Sequence, residues 1–127
     1  MKLEPENTGT FQTVSAVSEN TVTINGTTFS QSLIVMPDMT PSPWPVHSFD
    51  ELTVDSLIKL GQYHPDIIIL GTGRQSRHLN PEWTFSLLEK GLLIECMNNR
   101  AACGAYNLIV AENRQALLVL IMEEIKS

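Results

Sequence analysis

Two short apolar runs, Ile67–Leu70 and Leu92–Cys96, limit what this chain can fold into more than any other feature. Four large apolar residues in a row, as in Ile67–Leu70, cannot alternate between a wet and a dry face. Such a run predicts a strand covered on both sides, as in the middle of a parallel sheet. Between the two runs lies a segment with helix-start chemistry: Asn80 as N-cap, Pro81 at the first helical position, and Gly91 just past the end. Parallel neighbours need a crossover of that kind. From Asp66 to Val110 the order strand, loop, helix, strand, loop, helix therefore predicts an α/β fold.

The flanking segments supply the other layers. Residues 1–9 read as a polar tail. From Phe11 to Val35 the chain is rich in Val, Thr, Phe and Ile, broken at Glu19-Asn20 and at Asn25-Gly26 into runs 11–17, 21–24 and 27–35. Asn-Gly between strand-like runs signals a hairpin, because both central positions of a type I′ turn need positive φ. Pro37, Pro41, Pro43 and Pro45 surround Trp44. They exclude a central strand or a helix, so residues 36–50 are expected to form a surface arm pinned by a buried tryptophan. Thr53 is a candidate N-cap for a short helix with Val54, Leu57, Ile58 and Gly61 on one face and Gly61 as its stop.

Asn98 or Asn99 caps the last helix, which runs from Arg100 to about Glu112 before a final strand, Ala116–Met122, and a charged tail, 123–127. Gly104 sits in its middle, where it costs roughly 1 kcal/mol relative to Ala. With Ala101, Ala102 and Ala105 beside it, the expectation is another backbone lying very close. No charged residue lies between Ala101 and Ala111. That predicts a helix covered on more than one side, by the proline arm around Trp44 within one chain, by a second copy or by a partner, with Tyr106 and Trp44 as candidate contacts to another chain.

Composition narrows the function classes. At 127 residues, 43% hydrophobic, residues 1–127 are expected to form one globular domain. The 8 Lys+Arg against 14 Asp+Glu give a net charge of −6. Such a surface repels phosphate backbones and anionic lipid, which argues against nucleic-acid binding. Ala116–Met122 is the longest apolar stretch and too short to insert in a membrane. The opening MKLEPENTGTF lacks the pattern of a leader, so a cytoplasmic location is expected. Cys96 and Cys103, with no CxxC, are expected to be free thiols.

Candidate chemistry gathers at the end of the first buried strand. Gly71-Thr72-Gly73-Arg74-Gln75-Ser76 matches the dinucleotide fingerprint poorly: Ser76 replaces the third glycine and the helix starts late, near Pro81. A milder reading is a small-anion site made by Gly71, Thr72, Gly73, Arg74 and Arg77, next to His78, using backbone N–H groups and the two guanidiniums. The plain alternative is a turn with solvated arginines. His47, His64 and His78 lack partners at metal-ligand spacing, so no metal is expected. Ser76 with His78 is too local for a nucleophile–base pair, and Glu95 is expected to pair with Arg100. No motif supports an enzyme.

Several blocks together resemble one small family. They are PDIIILGTG (65–73), GLLIECM (91–97), AACGAYN (101–107) and ENR (112–114), with SLIVMP (32–37) and Trp44 upstream. That family includes bacterial and archaeal proteins of unknown function, a mitochondrial complex I (NADH dehydrogenase) assembly factor and an adipogenesis-associated domain-containing protein. The resemblance implies a three-layer α/β domain with a central mixed, largely parallel sheet and an N-terminal β-hairpin element. It also implies no established enzymatic activity and no known cofactor. Asn98 stands where the family suggests Thr, and Asn113 where it suggests Gly; Asn caps a helix and tolerates the left-handed conformation. The expected function is a non-enzymatic interaction or assembly-factor-like protein with a protein partner or a homo-oligomer. The alternative is a small-anion or small-ligand protein, or an enzyme, using the Gly71–His78 loop.

Overall fold

A computed structural model describes residues 11–123; the tail expected at 1–9, and all but Glu123 of the tail at 123–127, fall outside them. Asn25 (φ 49°) and Gly26 (φ 87°) both hold the positive φ expected of the turn. They join β2 (Val22–Ile24) to β3 (Thr27–Phe29), and β1 (Val14–Val17) completes a three-stranded antiparallel sheet in the order β1-β2-β3. Val22 and Ile24 are buried while Thr27 and Thr28 are exposed, so the small sheet has one dry face.

The single run expected at 27–35 is two strands. At Ser32, which is buried, the hydroxyl oxygen accepts from the Met122 N–H at 2.9 Å and the carbonyl accepts from the Trp44 N–H at 2.9 Å. These long-range bonds hold the chain between sheets, and β4 (Leu33–Met36) enters the larger one. The proline-rich arm also differs from expectation, since part of it is a strand, β5 (Met39–Pro43), antiparallel to β4. Its prolines are tolerated because β5 is the outermost strand.

The larger sheet has the order β5-β4-β8-β6-β7. β6 (Ile67–Gly71) lies parallel to both β7 (Ile94–Met97) and β8 (Ala116–Leu120), while β4 is antiparallel to β8. The parallel pairing expected for the two apolar runs is present, with Ile68 opposite Ile94. All of β6 is buried. β7 is not the fully buried strand expected at Leu92–Cys96: it is an edge strand, so Glu95 is exposed and Leu93 is 46% exposed.

Side chains alternate across the sheet into two cores. Ile68, Leu70, Leu117, Val119 and Ile121 pack with Leu57, Leu60, Leu87 and Trp44 on one face. Ile67, Ile69, Leu118 and Leu120 pack with Val22, Ile24, Cys103, Tyr106 and Val110 on the other. The first face carries α1 (Val54–Ile58) and α2 (Pro81–Glu89); the second carries α3 (Asn99–Ala111) and the small sheet. The result is the expected three-layer α/β fold.

Helix ends follow local chemistry. Thr53 and Ser56 form a reciprocal capping box on α1. Gly61 does not stop that helix; the chain continues as a 3₁₀ turn, Lys59–Tyr63, until His64 turns left-handed at φ 53°. Asn113, also left-handed at φ 63°, follows α3 as expected. On α2 the Asn80 side chain accepts from the Glu82 N–H at 2.9 Å. Among the described residues the close backbone expected at Gly104 is absent, since a Cβ there would meet nothing within 4 Å. α3 is buried on one side only: Ala101, Gly104, Leu108 and Ala111 are exposed.

Candidate functional site

The Gly71–Arg77 loop leaves the carboxyl end of β6, where α/β sheets commonly hold ligands. Its tightness has an internal cause. A Cβ on Gly71 would overlap the Asn99 side-chain amide and the Leu120 side chain, so only glycine fits. Gly73 has φ 102°; its N–H donates to Asn99 Oδ1 at 3.0 Å, and its carbonyl accepts from the Asn99 N–H at 2.8 Å. The Thr72 N–H donates to the Met97 carbonyl at 2.9 Å, and its hydroxyl lies 2.6 Å from the Gln75 carbonyl.

These bonds correct part of the anion reading. The N–H groups of Thr72 and Gly73 are held by Met97 and Asn99 and do not face solvent. Nor do the two arginines converge. Arg74 Nη1 lies 3.1 Å from Glu19 Oε1, both side chains well exposed, an ion pair of about 1 kcal/mol at most. The Arg77 guanidinium lies 5.6 Å over the Phe49 ring, which packs on the α1 and α2 side of the sheet.

What the structure assembles instead is a cleft of about 260 Å³ between the small sheet and the start of α3. Gly73 and Arg74 line it together with Glu19, Asn98, Asn99 and Arg100. Asn98 caps α3 by accepting the Ala101 N–H at 2.8 Å. Arg100 donates to the Val17 carbonyl at 3.3 Å, and the pairing with Glu95 expected of it is not made. Gly71 and Thr72 lie behind the cleft as framework, and Arg77 and His78 are not among its lining residues.

Neither aromatic residue expected to contact another chain is available to one. Tyr106 is 0% exposed, and its hydroxyl donates to the Gln12 carbonyl at 2.7 Å. Trp44 is 5% exposed within the core under α1. Both are corrected to core residues. Cys96 and Cys103 are free and lie in the packing on opposite sides of the sheet. Burial raises the Cys96 thiol and pushes Cys103 up to about 11. Among the described residues, no three His, Cys, Asp or Glu side chains gather as a metal site, and no helix is long and apolar enough to cross a membrane.

Sequence reasoning passes over the exposed apolar side chains: Phe85 at 62% and Leu88 at 52% on α2, Leu93 at 46% before β7, and Leu108 at 63% on α3. Helical spacing carries the signal. Trp83 and Leu87, four apart, face the core, and Phe85 and Leu88, three apart, face away.

The chain is similar to a Danio rerio protein named NADH dehydrogenase (ubiquinone) 1 alpha subcomplex assembly factor 3, at 30% identity over 77% of this chain and 57% of that protein. It thus spans little more than half the length of that curated relative. Its fold matches the crystal structure of a Bordetella parapertussis protein, at 30% identity and a TM-score of 0.83, over 89% of this chain and 97% of that one. An NMR structure of a Xanthomonas campestris protein matches at 28% identity and a TM-score of 0.80, over 91% of this chain and 88% of that one. A family model matches residues 14–121, nearly every element described above, and the chain belongs to that family, described as proteins of unknown function (DUF498/DUF598).

Proposed function

We propose that this protein acts without catalysis as an interaction protein, holding a partner during assembly of a respiratory complex of the NADH dehydrogenase type. The observation that carries the reading is the exposed apolar surface of α2, where Phe85 and Leu88 are 62% and 52% in solvent. Two large neighbouring apolar side chains left on a small acidic surface favour a protein partner. The similarity to a protein named an assembly factor supplies the class of partner. The test is crosslinking and affinity capture of the tagged chain from its native cells, read by mass spectrometry. NADH dehydrogenase subunits should be enriched, and Phe85→Glu/Leu88→Glu should lose them. Absence of those subunits, or a deletion strain with normal levels of the assembled complex, overturns the reading.

A second reading, a small-anion site at the Gly71–Arg77 loop, is favoured by the cleft that Gly73, Arg74 and Arg100 line. The guanidiniums rather than the loop N–H groups would make the contact. Phosphate should then shift the amide signals of 73–74 and 98–100, and Arg74→Ala/Arg100→Ala should silence them while Arg77→Ala does not. Shifts scattered over the surface exclude the site.

A further inference from the structure

No segment among the described residues covers the outer face of α3. Gly104 is exposed there, and a Cβ on it would meet nothing within 4 Å. Packing among the described residues therefore gives no reason for a residue that weakens a helix. Leu108, one turn further on, is 63% exposed. Arg100 and Glu112, both exposed, mark the two ends of the same face, and no charge lies between them. Arg100, Gly104, Leu108 and Glu112 follow one another at four-residue steps, so they form a single ridge along the helix.

We propose that this ridge is the contact surface of a homodimer in which the α3 helices of two copies lie antiparallel. A twofold axis passing between Gly104 and Leu108 makes the pattern self-complementary. Leu108 seats in the gap over the partner's Gly104, and Arg100 meets the partner's Glu112. The reciprocal pair repeats both contacts. Charge order selects this occupant. A parallel pairing would set Arg100 against Arg100 and Glu112 against Glu112, whereas the antiparallel one joins opposite charges at both ends. The Val17 carbonyl engages one guanidinium nitrogen of Arg100, Nη2, and leaves the others free for the pair. Two helices meeting at a glycine bury a small area, at the weak and transient end of interface sizes, so association should show only at high protein concentration. This surface is distinct from Phe85 and Leu88 and does not rest on the assembly-factor reading.

Sedimentation equilibrium of the full chain over a range of concentrations at low salt tests it. A reversible monomer–dimer equilibrium is expected, abolished by Leu108→Glu. Arg100→Glu and Glu112→Arg, each alone, should weaken association about tenfold. An equimolar mixture of the two should restore it, because each reversed charge then meets an opposite one. Gly104→Ala should raise the thermal midpoint of the dilute monomer and yet weaken the dimer. A chain that stays monomeric throughout overturns the proposal, as does a dimer indifferent to Leu108→Glu. If Leu108→Glu fails to fold, the charge-reversed mixture decides: recovery supports the antiparallel pair, and no recovery refutes it.

Discussion

Asn99 fixes the end of β6 with one amide. Its oxygen accepts the Gly73 N–H at 3.0 Å, its NH₂ donates to the Ile121 carbonyl at 3.0 Å, and its own N–H donates to the Gly73 carbonyl at 2.8 Å. It is 5% exposed, so removing the side chain leaves two buried backbone groups without partners. Asn99→Ala is therefore expected to destabilise the fold by about 2–4 kcal/mol, measured by equilibrium urea denaturation. A cost under about 0.5 kcal/mol would show that the loop is held by something else. The local sequence makes the tight turn at Gly71-Thr72-Gly73 readable, but not its reason. The amide that the glycines accommodate stands 26 residues downstream of Gly73. A glycine at a strand end reads the same whether it receives a ligand or a neighbouring side chain. Asn99 itself is masked by Asn98, which is the helix cap.

At the level of elements, readability follows how many faces are covered. β6 declares itself by four large apolar residues because both its faces are dry. β7 is less plain, since an edge strand needs only one apolar face. The break between β3 and β4 leaves no local mark, because Ser32 is tied to Met122, 90 residues away. α2 shows the same limit in a helix: Leu87 is 0% exposed, whereas its apolar neighbours Phe85 and Leu88 are largely in solvent. Leu87→Ala is expected to cost about 2–5 kcal/mol and Phe85→Ala or Leu88→Ala within about 0.5 kcal/mol. Equal costs at all three, at concentrations where the chain is monomeric, would mean that the outer face of α2 is covered.

At the scale of the whole molecule, the central strands serve two cores at once. In β6, Ile68 and Leu70 face α1 and α2, while Ile67 and Ile69 face α3. In β8, Leu117 and Val119 belong to the first core, and Ala116, Leu118 and Leu120 to the second. Neither outer layer can leave without wetting half the side chains of the same two strands, so both cores should be lost together. The cysteines report on this from opposite sides, Cys96 packed against the first core and Cys103 within the second. In the single-cysteine variants Cys96→Ala and Cys103→Ala, the remaining thiol should become open to alkylation with the same urea midpoint, once corrected for the stability each substitution removes. That midpoint should coincide with the loss of helical circular dichroism. Exposure of Cys103 at clearly lower urea than Cys96 would mean that α3 and the small sheet peel away first, as a unit with its own stability. The shared strands argue for the single transition.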